Sequence, residues 1–346
     1  MRVLVTGLST FWGGRAAQSL EARPDVEVVV GLDTREPRVP LERTEFVRAD
    51  SSYSILQRIV QATDVDTIVH THLVVDSTRV SGRALHETNV IGTMNLLAAA
   101  GAPDSPVRNV IVKSSGYVYG AGSRDPYLFR EEAKRTSPPH TNVERSLLEV
   151  EAFLRDFAAD NPHITVTLLR FTNVLGDQLD TPFSQALRLP VVPEILGFDP
   201  RLQFVHEDDV VAALMYATTH DLPGVFNVAA DGLLPWSEIC SMVGKRRVAL
   251  PPLFTNAAAE PLRLLRVVNL PPEWLDLLRF GRGMDNRRFK EAGFRYRYTM
   301  AGTVEAFARG LRLEKTIGTK AAPSYKYERE VEDFFRHSPA VVRHES

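Results

Sequence analysis

Cysteine is almost missing from this sequence: Cys240 is the only one in 346 residues. A single thiol cannot form an internal disulfide, so a disulfide-stapled fold is excluded, and a reducing, cytoplasmic setting is the expectation. Charge of one sign is missing too. The 41 Lys and Arg against 43 Asp and Glu leave a net −2, which offers no basic field to nucleic acid or to an anionic membrane. No apolar run approaches the roughly 18 residues that would span a bilayer, so no transmembrane segment is expected. The fold signal starts at Arg2, so no leader peptide is expected before it. Internal repeats and low-complexity tracts are absent. What is present is 44% hydrophobic and 24% charged, an ordinary globular mixture. The length suits one large α/β unit or two lobes.

The informative stretch is the first one, MRVLVTGLSTFWGGR. Val3-Leu4-Val5 is short enough for one buried strand. Thr6-Gly7 breaks it, Gly13-Gly14 follow, and Ala16, Ala17 and Leu20 then recur at helical spacing. Strand, glycine-marked turn and helix start make the first unit of a dinucleotide-binding fold. Unpaired N–H groups and the positive dipole end of the helix suit a pyrophosphate. Asp33 ends the next apolar run, twenty positions after Gly13, where a carboxylate meets adenosine ribose hydroxyls. A purely structural glycine turn is the competing reading.

Strand and helix patterns alternate through the first half. Strands are expected at 3–5, 26–32, 45–48, from 67, 107–112 and 165–169, and helices at 13–22, 54–62, 84–100 and 144–159. That rhythm implies an α/β fold, a Rossmann-type doubly wound parallel sheet with the ligand at the carboxyl ends of its strands. Residues 1–176 form the expected nucleotide-binding core. Residues 177–313 form a smaller C-terminal substrate lobe, its strands near 202–206 and 225–229 returning to the core. Asp208 or Asp209 is the expected cap of a helix at 210–218, and 249–283 reads as irregular helices. Residues 314–346 form a polar tail whose last stretch is expected to be mobile. A metal at His206-Glu207-Asp208-Asp209 would need ligands that converge in space. Four adjacent polar residues before a helix read as a cap and a solvated turn, so no metal is expected.

Several pieces together resemble the extended short-chain dehydrogenase/reductases, the group that contains NAD-dependent nucleotide-sugar epimerases and dehydratases. They are Thr6-Gly7…Gly13, Asp33, Asp50, Asn89-Val90-Ile91-Gly92-Thr93, Ser114-Ser115-Gly116-Tyr117-Val118-Tyr119-Gly120, Leu169-Arg170-Phe171-Thr172-Asn173-Val174-Leu175-Gly176 and Phe204-Val205-His206-Glu207-Asp208-Asp209. They occur in the family's order, over about residues 1–312. The resemblance implies NAD as cofactor, with Gly7, Thr10, Phe11, Trp12 and Gly13 at the diphosphate. Asp33 would lie on the ribose, and Asp50 and Ser51 at the adenine. Thr71, His72, Asn89 and Thr172 complete the implied cofactor contacts. Ser115 would hydrogen-bond the reacting oxygen, with Tyr117 and Asn173 on the substrate side. Each has a bland alternative, since Asp and Asn are common caps and turn residues. Asp33 favours NAD because a carboxylate repels a 2′-phosphate, and Arg35 keeps NADP open. A nucleotide sugar is the implied substrate, and a homodimer through the helices at 84–100 and 144–159 the implied assembly.

Two departures stand out. Thr10 occupies a position where the family's phosphate loop carries glycine, and its side chain must turn away from the diphosphate, narrow its groove or bond it. More seriously, the family's acid/base tyrosine and the lysine four residues on, which share a helix face, fall on Val143 and Leu147. None of the nine tyrosines has a lysine four positions later. His72, His140, Tyr117 and Tyr119 are the candidates for a substitute base. Two readings follow: an oxidoreductase or epimerase with an altered proton donor, or a catalytically inactive NAD(P)-binding protein with a regulatory or scaffolding role. The stretch 262–280, leucine and arginine interleaved around Pro271-Pro272, reads as a lid helix on the cleft, with contact to a membrane surface as the alternative.

Overall fold

The computed structural model of the chain describes residues 1–78, 80–251, 272–317 and 329–343. Its centre is a seven-stranded parallel sheet. The strands are β1 (Arg2–Thr6), β2 (Val28–Asp33), β3 (Glu45–Arg48), β4 (Thr67–His70), β5 (Asn109–Ser115), β6 (Thr165–Phe171) and, after β7 to β10 of the second lobe, β11 (Gly224–Val228). Their order across the sheet is β11-β6-β5-β4-β1-β2-β3, so the winding reverses between β1 and β4. That reversal opens a crevice at the carboxyl ends of both strands.

The apolar runs explain the layering. Alternate residues of β1 point to opposite faces: Leu4 packs with Leu56, Ile59, Leu97 and Val150, and Val3 and Val5 with Ala17, Leu20, Val210 and Leu214. Helices α2 (Tyr53–Ala62), α4 (Gly92–Ala100) and α5 (Asn142–Asp160) therefore cover one face, and α1 (Phe11–Glu21) and α7 (Glu207–Thr219) the other. A sheet buried on both sides needs strands that are apolar throughout, as β1 is. Helix α5 starts where a capping box fixes it, Thr141 receiving the Glu144 N–H while the Glu144 carboxylate returns to the Thr141 backbone.

The expected helix at 84–100 is three pieces: α3 (Gly82–His86), a π-helical turn (Glu87–Ile91) and α4. The extra residue of the π turn accompanies an inward Asn89 side chain, which accepts from Val74 N at 2.7 Å and donates to Val74 O at 2.9 Å. Strand β5 runs three residues beyond the expected end at 112, because Lys113, Ser114 and Ser115 still pair with Leu169, Arg170 and Phe171.

In the second lobe β7 (Asn173–Leu175) pairs in parallel with β10 (Phe204–His206), and α6 is Pro182–Arg188. β8 (Val191–Ile195) pairs with β13 (Arg246–Leu250), and β9 (Arg201–Leu202) with β12 (Leu234–Pro235). The expected strand at 202–205 is thus two short ones, and residues 249–250 are strand rather than irregular helix. Phe183 joins the apolar cluster on one face of the central sheet, its ring 5.1 Å from Phe204 and 5.2 Å from Trp274. His206, not Asp208 or Asp209, caps α7, accepting from Asp208 N at 3.2 Å. Asp209 instead accepts from the backbone N–H groups of Arg297 and Tyr298.

The helix Met300–Ile317 runs past the expected boundary at 313. Of the tail whose end is expected to be mobile, residues 329–343 are described and pack on the body, Arg329 N donating to Phe46 O at 3.1 Å along the outer edge of β3, while 318–328 and 344–346 lie outside the described residues. Arg329 also pairs with Glu45 at 3.1 Å, and the helix Val331–His337 follows. An open sheet edge is thereby covered. Of the stretch at 262–280, residues 262–271 lie outside the described residues. The helix Pro272–Phe280 turns Trp274, Leu277 and Leu278 into the core. No helix among the described residues is long and apolar enough to cross a membrane.

Candidate active site

The loop between β1 and α1 is built backwards onto itself. Thr10 caps α1: its hydroxyl accepts from Gly13 N at 3.0 Å and donates to Gly7 O at 2.7 Å. It therefore points into the loop, away from the groove. The first-turn N–H groups of Phe11 and Trp12 have no intrahelical partner and remain for an anion. Gly7 has φ +76°, and a Cβ there would lie 2.8 Å from the His72 backbone. A Cβ on Gly13 would lie 2.2 Å from Gly7 O. Both glycines are required by close backbone approach. Asp33 is buried at the end of β2 and accepts from Ser9 N at 2.8 Å and Arg35 N at 3.1 Å. Each carboxylate oxygen keeps a second lone pair, enough for two ribose hydroxyls. Thr71 donates to Thr6 O at 2.9 Å and so ties β4 to the loop. Beneath it His70 bonds Thr6 at 2.6 Å and Thr93 at 3.1 Å, and burial pushes its pKa down to about 3.

At the adenine end, Asp50 accepts from Ser52 N at 3.1 Å, a turn just ahead of α2, while Ser51 O accepts from Asn95. Asn89 also donates to Ser146 Oγ at 3.1 Å, bracing α5 against the segment after β4. The Thr172 hydroxyl donates to Gln203 O at 3.0 Å. Asn173 donates to the same carbonyl at 3.5 Å. Asp50, Asn89, Thr172 and Asn173 thus have local structural partners.

The other end of the cleft is different. Ser115 ends β5 and its Oγ accepts from Tyr117 N at 3.3 Å, opening the 3-10 turn Gly116–Tyr119. Val143 and Leu147 on α5 are 0% exposed, inside the core that also holds Tyr117 and Tyr119. Of the substitute bases, Tyr119 accepts from Arg170 at 2.7 Å and donates to Asn227 at 2.7 Å, so it is committed. His140 lies 2.8 Å from Asp276 and 3.5 Å from Glu144. Burial holds His72 below the usual imidazole range. Tyr117 is pushed well above the usual phenol range by burial, with Arg282 opposing and Glu273, Asp76 and Glu144 adding to the rise.

Two charged residues that sequence reasoning missed stand here. Glu273, at the start of Pro272–Phe280, is 3% exposed. Ser77 donates to its Oε2 at 3.2 Å, and among the described residues its buried Oε1 has no partner. Burial pushes this carboxyl above its ordinary range. Arg282 is 4% exposed, its guanidinium carbon 4.8 Å from the Tyr117 ring centre. It donates to Gly120 O at 3.4 Å, while among the described residues Nε and Nη2 have no partner, and burial pushes it down to about 10. Neither belongs to a sequence motif; both come from the second lobe, and only the fold brings them to Tyr117.

A crevice at the β1/β4 reversal, a glycine loop closed by backbone contact and a buried acid on β2 form one arrangement. The sequence pattern of the NAD dependent epimerase/dehydratase family matches residues 3–229. The chain belongs to that family. An uncharacterised protein of Mycobacterium tuberculosis is 35% identical over 330 residues, covering 94% of this chain and 88% of the relative. The UDP-glucose 4-epimerase of Erwinia amylovora is 29% identical over 188 residues, 51% of this chain and 54% of its own. Among solved structures, MoeE5 in complex with UDP-glucose and NAD superposes with a TM-score of 0.70 at 21% identity, over 91% of this chain and 100% of that one. The UDP-glucose 4-epimerase of Thermotoga maritima with UDP-glucose gives 0.70 at 19% identity, over 91% and 100%. These likenesses establish an epimerase-type fold. The cofactor of the NAD dependent epimerase/dehydratase family is the one that the loop and Asp33 fit.

Proposed function

We propose that the chain is an NAD-dependent epimerase or oxidoreductase acting on a nucleotide sugar, with Glu273 in place of the family's tyrosine. Bound NAD supplies reversible hydride acceptance. Ser115 polarises the reacting oxygen, and Asp33 with the Phe11 and Trp12 N–H groups holds the cofactor. The observation that carries the reading is the Glu273 carboxyl itself. It is buried, has one oxygen free among the described residues, and is held by Ser77 on the loop after β4. Its charge adds to the rise in the Tyr117 pKa. Burial raises the Glu273 pKa, the direction that favours a carboxyl holding and giving up a proton.

The test is interconversion of UDP-glucose and UDP-galactose, or reduction of NAD by either, with the protein supplied with NAD. Glu273→Gln should lower turnover by about a hundred- to ten-thousand-fold with NAD affinity unchanged. Full activity in that variant would remove Glu273 from the reaction. The second reading, an inactive NAD(P)-binding protein that signals through a partner, is favoured by the fully buried Val143 and Leu147. A silent wild type combined with activity in the double variant Val143→Tyr/Leu147→Lys would establish it.

A further inference from the structure

Lys113 is a lysine where the fold offers it no counter-ion. It lies on β5 and is 4% exposed. Among the described residues no carboxylate, carbonyl or hydroxyl accepts from it. Its ammonium instead lies 5.0 Å from the ring centre of Trp12 and 5.5 Å from that of Phe171. Buried ammonium groups are ordinarily paired, and two aromatic faces replace only part of the lost hydration. Burial lowers its pKa to about 8, which leaves it mostly charged at pH 7.

The surroundings say what this charge faces. Trp12 is in the first turn of α1, beside the N–H groups offered to a diphosphate. Phe171 ends β6 and leads into Thr172 and Asn173. Ser115 lies two residues after Lys113 on the same strand, hence toward the same face of the sheet. The ammonium thus sits where the loop and the carboxyl ends of β5 and β6 meet. A cofactor with its diphosphate at α1 and its reactive end at Ser115 must pass over that point.

Resting on the NAD reading above, we propose that Lys113 is the charged floor of the nicotinamide subsite and makes the site prefer NADH over NAD. The oxidised ring carries a positive charge and the reduced ring carries none, so a fixed ammonium below it repels only the oxidised form. The consequence is a bound NAD that is a stronger electron acceptor. Lys113 acts here through charge alone and exchanges no proton with substrate.

The experiment is calorimetric titration of the full chain at pH 7 with NAD, NADH and ADP-ribose, for wild type, Lys113→Met and Lys113→Arg. Wild type should bind NADH more tightly than NAD. Lys113→Met should reduce that ratio by about tenfold or more, as expected for a unit charge lost several ångströms from the ring in a partly dry site. Lys113→Arg should retain the preference, and ADP-ribose, which has no nicotinamide, should bind all three proteins alike. A purely structural role would shift all three ligands together and leave the ratio unmoved. An unchanged NADH-to-NAD ratio in Lys113→Met, with both still binding, would overturn the proposal and leave the NAD reading intact. Absence of binding by NAD, NADH and ADP-ribose to wild type would overturn both.

Discussion

Asp33 and Glu273 are both buried carboxyl groups, and the chain treats them in opposite ways. Asp33 accepts one backbone N–H on each oxygen, from Ser9 and Arg35. Glu273 keeps Oε1 buried with no partner among the described residues. The contrast extends to their neighbours. Around the β1–α1 loop, Thr10, Thr71 and His70 have hydrogen bonds that hold the loop to β1 and β4, while the buried Ser9 hydroxyl and the Lys113 ammonium lack acceptors among the described residues. In the substrate half, Glu273 and Arg282 both carry buried polar atoms without partners. Unpaired buried polar atoms are costly, and sites that must receive a polar ligand are where a fold tolerates them. The loop around Asp33 is pre-organised, while Glu273 and Arg282 keep hydrogen-bonding capacity unused among the described residues.

That comparison can be broken at its rigid end. Gly13→Ala places a Cβ 2.2 Å from Gly7 O, against backbone that cannot step aside cheaply. NAD binding should fall below detection by calorimetry, and stability should drop by roughly 1–3 kcal/mol, as for other overpacked sites. Wild-type affinity in this variant would show that the loop does not cradle the diphosphate. A second test probes strain in the other half. Glu207, beside Asp177 at the start of α7, is raised by burial from 4.5 to about 8. The folded chain therefore holds a proton there that the unfolded chain releases above about pH 4.5. Stability from this group is complete below the unfolded value and is lost as pH rises toward 8. Glu207→Gln should flatten that slope, a difference on the order of a few kcal/mol at most between pH 5 and pH 8. Urea midpoints at the two pH values give the answer, and equal slopes in both proteins would contradict it. The smallest effect is expected at Thr10. Thr10→Ala should cost about 1 kcal/mol of thermal stability and Thr10→Gly only a few tenths. Equal losses would mean the hydroxyl is no cap.

The nucleotide half was legible in the sequence because its parts are contiguous. The strand, both glycines and Asp33 lie within 33 residues, and each obeys a local rule of spacing. Strand β3 at 45–48 was read to the residue for the same reason. The substrate half was not legible. Glu273 is nearly two hundred residues from Ser77 in sequence, and only folding brings the two within 3.2 Å. The interruption at 87–91 is invisible to a helical period, since it follows from Asn89 reaching the Val74 backbone. The cap of α7 was placed on the wrong side chain because Asp209 is drawn to Arg297 and Tyr298, far along the chain. Lys113 did leave a trace, a lone cation at the end of the apolar run Val110-Ile111-Val112.

The affinity of NAD for wild type and for Asp33→Asn, measured by isothermal calorimetry, tests the placement of the nucleotide most directly. A carboxylate holding two ribose hydroxyls through charge-assisted hydrogen bonds should give saturable one-to-one binding that weakens about tenfold or more in the variant. Equal affinity in the two proteins, or no heat with wild type, would contradict the placement of the nucleotide.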